Sequence, residues 1–119
     1  MDFKSTQTVF SDVYTERVKQ EEKWGEQNHT VIEWMAILME EVGEAAKEAV
    51  DYYNRYPVKN EAGIKTEPVS MEQLKRLSDY RKELIQVAAV AIQMIECIDR
   101  CEGRSIATVK ELEHVKETL

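Results

Sequence analysis

The chain has 119 residues, 33% of them charged and 43% hydrophobic, with a formal net charge of −7 at pH 7; this length predicts one domain that buries roughly 65% of its unfolded surface. The acidic balance disfavours a nucleic-acid binder, which needs a basic face to displace counterions from phosphates. No apolar run approaches the ~18 residues of a membrane span, and four glycines and two prolines are too few for a turn-rich all-β fold.

Four helices are predicted, in a single all-α domain spanning residues 1–119. The first covers about 11–24, where Phe10, Val13, Tyr14 and Val18 recur at helical spacing before Gly25. The second begins after Thr30, with Thr30 and Glu33 spaced as a capping box, and reaches about Asn54. A loop over about 55–70 holds both prolines and a glycine. The third runs from Ser70, with Gln73 at the capping-box position, to about Glu102. The fourth is short, about 106–118. This order predicts a four-helix bundle. The first ten residues lack a basic stretch followed by an apolar one, so no export signal is expected. The two cysteines then suit a reducing, cytoplasmic setting.

The apolar positions of the second helix, from Trp34 to Tyr53, cover about 200° of its circumference, twice what a surface helix needs. The third helix carries the uninterrupted run Val87-Ala88-Ala89-Val90-Ala91-Ile92. Burial on two sides is therefore expected, most simply in a homo-oligomer.

Charge is concentrated where chemistry is expected. Residues 31–54 contain six acids and one lysine, a net −5 of the chain's −7. Glu40, Glu41 and Glu44 share one helix face, either as a solvated stripe or as ligands. Glu83 precedes Val87, Val90 and Met94 on one face of the third helix. The polar stripe of that helix is read elsewhere, through Lys75, Asp79, Lys82, Gln86 and Gln93. Glu83 is thus a carboxylate at a packing surface, to be paired with a cation, protonated or metal-bound. If the two acidic groups face each other, each pair at ~5 Å repels by about 3 kcal/mol at an effective dielectric of 20. A hard divalent ion, Mg²⁺ or Mn²⁺, suits such oxygen donors. Metal-assisted phosphoryl hydrolysis is the chemistry that follows.

The ordered pair of motifs, Glu40-Glu41-Val42-Gly43-Glu44 and then Glu83-Leu84-Ile85-Gln86, resembles the MazG-like all-α nucleotide pyrophosphohydrolases. The stretch Lys23-Trp24-Gly25-Glu26-Gln27-Asn28-His29, followed by Trp34, is similar to their small phage and bacterial members. The likeness spans about residues 17–96. It implies a helical homodimer or homotetramer that cleaves a nucleoside triphosphate between its α and β phosphates with Mg²⁺, giving monophosphate and pyrophosphate. It also implies Glu41, Glu44 and Glu83 as metal ligands and Glu40 as the catalytic residue that helps bind metal or activate water. Gln86 stands where the family usually has aspartate, a neutral oxygen in place of a charged one.

Trp24, Gln27, Asn28 and His29 are candidates for a base pocket, or else a plain helix connection with Trp24 in the core. Lys47, Arg81 and Lys82 are candidates for phosphate contacts, or else solvated cations. Cys97 and Cys101 share a face as free thiols rather than a zinc site. Met35, Met39 and Met94 read as core fillers. Glu26-x-x-His29 and Glu111-x-x-His114 match the spacing of di-iron four-helix proteins, but the first straddles the Gly25 break. The non-enzymatic alternative is a helical nucleotide-sensing or oligomerisation module with a weakened metal site.

Overall fold

The computed structural model describes residues 1–57, 69–101 and 113. Among them are three long helices and no strand: α1 (Phe3–Trp24), α2 (Val31–Arg55) and α3 (Met71–Cys101). Apart from residue 113, the expected fourth helix, with Glu111 and His114, lies outside the described residues, as does most of the 55–70 loop.

α1 begins eight residues earlier than predicted. Asp2 caps it: Oδ1 accepts the Lys4 amide at 3.0 Å and Oδ2 the Ser5 hydroxyl at 2.9 Å. This polar start lies outside the apolar period that marked the helix. Gly25, at φ 70°, ends it, a conformation that suits a residue without Cβ. The capping box of α2 forms as expected. Thr30 Oγ1 accepts the Glu33 amide at 3.3 Å, and Glu33 Oε1 accepts the Thr30 amide at 2.9 Å. At the start of α3 only half of the box forms. Ser70 Oγ accepts the Gln73 amide at 3.2 Å, while the Gln73 side chain donates instead to the Tyr52 hydroxyl on α2 at 2.9 Å.

α3 is the central element, packed along both α2 and α1. Trp34 meets Val90 and Cys97 at one end of α2, and Asp51 meets Arg76 at the other, so α2 and α3 run antiparallel. Asp12 pairs with Arg81 and Gln20 with Gln93, so α1 runs parallel to α3. The core is a cluster of Trp34, Val90 and Cys97, flanked by Ile37, Leu38 and Met94.

Two expectations change here. Gln93, assigned to the polar stripe, is buried because α1 covers that side of α3; its amide donates to Gln20 Oε1 at 2.6 Å, which satisfies both buried groups. Met35 and Met39, expected in the core, are exposed, as are Val50 and Tyr53. The wide apolar arc of α2 is only partly covered within one chain.

Candidate metal centre

The antiparallel packing of α2 on α3 sets Glu83 beside the turn that carries Glu41 and Glu44. One carboxylate oxygen from each of the three lies within 4.8 Å of the others. Glu41 Oε2 and Glu83 Oε2 are both shut off from solvent and have no hydrogen-bond partner. No ion pair between described residues takes any of the three acids; the arginines pair elsewhere, with Asp12, Glu21, Glu26, Asp51, Glu72 and Glu96. The salt-bridge reading of Glu83 therefore has no cation among the described residues.

The electrostatics follow. The Glu41 carboxyl is pushed above the ordinary carboxylate range, first by burial and then by Glu44, Glu83, Glu40 and Glu16. Glu83 is raised likewise by burial, then by Glu44 and Glu48. Buried carboxylate oxygens without donors, gathered on facing helices, form an all-oxygen set that fits a hard divalent ion. Glu40 is exposed and outside the three-oxygen group, yet close enough to act on Glu41. Two acids were not singled out from the sequence. Glu48 stands one turn after Glu44, and its i+4 spacing was the available signal. Glu16 comes from α1, which no local pattern connects to this site.

The remaining candidates line four hollows, two of which share Gln86. Trp24, Gln27 and Gln86 line, together with Glu41, a cavity of about 570 Å³ between the three helices, whose wall also carries Lys19 and Lys23. Trp24 is 54% exposed, so it is not a core residue; the Lys23 ammonium sits 4.6 Å over its ring. Arg81 and Lys82 line a second hollow of about 420 Å³, where Arg81 is tied to Asp12 at 2.6 Å. Lys47 lines a third, of about 660 Å³, with Glu48 and Asp79.

Asn28 and His29 border a fourth, of about 590 Å³, and both have structural partners. Asn28 Oδ1 accepts from Arg100 Nη2 at 2.9 Å, clamping the α1–α2 connection to the last turn of α3. The His29 ring meets Trp34 edge-on at 4.8 Å and contacts Gln27 Oε1 at 3.2 Å. Glu26 is paired with Arg100, so the first Glu-x-x-His spacing does not gather a metal set.

Compared with known proteins, the chain matches no family model, no curated protein and no solved structure. Among the described residues no helix is long and apolar enough to cross a membrane.

Proposed function

We propose that the protein is a Mg²⁺-dependent nucleoside triphosphate pyrophosphohydrolase. The observation that carries this reading is the convergence of Glu41, Glu44 and Glu83, with two buried carboxylate oxygens left without donors. The ordered Glu-rich motifs and their likeness to MazG-like enzymes support the choice of reaction. Glu41, Glu44 and Glu83 would hold the cation, with Gln86 on the adjoining cavity wall as a neutral oxygen donor. When bound, the divalent ion neutralises phosphate charge and makes a water more acidic. Glu40, exposed beside Glu41, would accept a proton from an attacking water. Lys19 and Lys23 offer positive charge on the wall that Glu41 and Gln86 share, where a triphosphate needs it. The exposed Trp24 ring and the Gln27 amide supply a stacking face and a polar edge for a base.

Assembly belongs to the same proposal. α1 presents Phe3, Phe10 and Tyr14 to solvent, and α2 presents Met39, Val50 and Tyr53. Apolar surface on this scale marks an interaction site, and a homodimer or homotetramer covers it. Light scattering at micromolar concentration should give a mass at least twice 13.8 kDa; a monomer would remove the assembly from the proposal. A panel of ribo- and deoxyribonucleoside triphosphates, incubated with Mg²⁺, tests the reaction. Monophosphate and pyrophosphate are the expected products, and chelation should stop their formation. Orthophosphate with a diphosphate would place cleavage at the γ position and overturn the reading.

A further inference from the structure

The carboxylate site leaves one set of reactive side chains unused. Cys97 and Cys101 lie four residues apart on α3 with their sulfurs 3.4 Å from each other, and neither is in a disulfide. Both line the cavity of about 590 Å³ between the start of α2 and the end of α3. Met94 lines it too. At positions i, i+3 and i+7, Met94, Cys97 and Cys101 fall on one face of the helix. The cavity wall also includes Trp34, buried to 3% exposure, whose indole N–H lacks an acceptor.

Thiolate and thioether donors select soft cations and reject the hard ions that suit the carboxylate cluster. We propose that Met94, Cys97 and Cys101 form a second, independent site for a soft monovalent cation of the Cu(I) class. Helix geometry separates this from a redox disulfide. Side chains at i and i+4 keep their Cβ atoms about 5–6 Å apart, whereas a disulfide needs roughly 3.5–4.5 Å. A metal–sulfur bond of about 2.3 Å lets one ion bridge sulfurs at the observed spacing while α3 stays intact. Binding transfers both thiol protons to solvent. Arg100, held on Asn28 Oδ1, which both sulfurs also approach, offsets the resulting negative charge. The Trp34 N–H gains a thiolate acceptor. No electron transfer is involved, since the ion enters already reduced.

The test is an anaerobic titration of the full chain with Cu(I) against a chromophoric chelator. Withdrawal of one Cu(I) per chain is expected, with sulfur-to-metal absorption in the near ultraviolet. Cys101→Ser changes an exposed position and should keep the fold while weakening binding by on the order of a hundredfold. Met94→Leu keeps an apolar side chain of similar volume and should weaken binding by roughly tenfold, with helical circular dichroism unchanged. Three results would each overturn the proposal: the chelator keeps all the metal, Cys101→Ser binds as tightly as the native chain, or the two sulfurs are recovered as an intramolecular disulfide without bound metal.

Discussion

Replacing Glu83 by glutamine is expected to abolish turnover, by roughly two orders of magnitude or more, while raising the melting temperature of the metal-free protein. The substitution keeps the side-chain volume and removes one charge from a group of three that has no cation among the described ion pairs. Carboxylates at ~5 Å repel by about 3 kcal/mol per pair at an effective dielectric of 20. Solvent reduces this for Glu44, which is exposed, so the gain should be a few degrees at most, where about 1 kcal/mol corresponds to some 4–8 °C. The variant should also lose most of the stabilisation that Mg²⁺ gives the native chain. Kinetics with saturating nucleotide and thermal melts with and without Mg²⁺ measure these effects. A purely structural Glu83 gives the reverse pair: a lower melting temperature and intact turnover per folded molecule.

The second large effect is on stability against pH. Glu41 and Glu83 have carboxyls raised above their ordinary values by burial and by neighbouring acids, so the folded chain binds protons more tightly than the unfolded one. A raised folded pKa contributes stability that is fully present below the unfolded value, near pH 4.5. That contribution is lost as pH rises through the folded value. Without metal, the contribution of these two groups should therefore fall as pH rises above about 4.5. The opposite slope expected of carboxylates held by donors, such as Glu33 at the start of α2, runs against it. The difference between native and Glu83→Gln melts isolates the site. Saturating Mg²⁺ should reverse the sign of that difference, because it stabilises the ionised groups of the native chain as pH rises and is mostly lost from the variant. Parallel melting curves for the two chains at every pH would mean that Glu83 does not titrate against its neighbours.

Much of this arrangement was legible in the sequence because it is local. The Thr30–Glu33 spacing marked the start of α2 to the residue, and Gly25 marked the end of α1. Glu83 stood out because its neighbours at i+4 and i+7 are apolar, and the structure brings it to Glu41 and Glu44. What escaped depends on which helices meet. Gln93 looked like a surface residue because nothing in its own helix reveals that α1 lies over it and brings Gln20. Gln73 has the spacing of a cap, but its side chain turns to α2, where its Nε2 donates to the Tyr52 hydroxyl. Glu16 reaches the site from a helix more than 60 positions away from Glu83 in the chain. Asn28 carries the pattern of a pocket residue, whereas its oxygen is taken by Arg100, a contact fixed only once α3 returns past the α1–α2 connection.

The bond that is broken tests the proposed reaction most directly. Two analogues of one accepted nucleoside triphosphate separate the possibilities, one with a methylene bridge between the α and β phosphorus atoms and one with it between β and γ. With Mg²⁺, the β,γ-bridged compound should be cleaved to the monophosphate and the bridged pyrophosphate analogue, and the α,β-bridged compound should survive. Survival of the β,γ-bridged compound, together with orthophosphate release from the α,β-bridged one, would contradict pyrophosphohydrolysis.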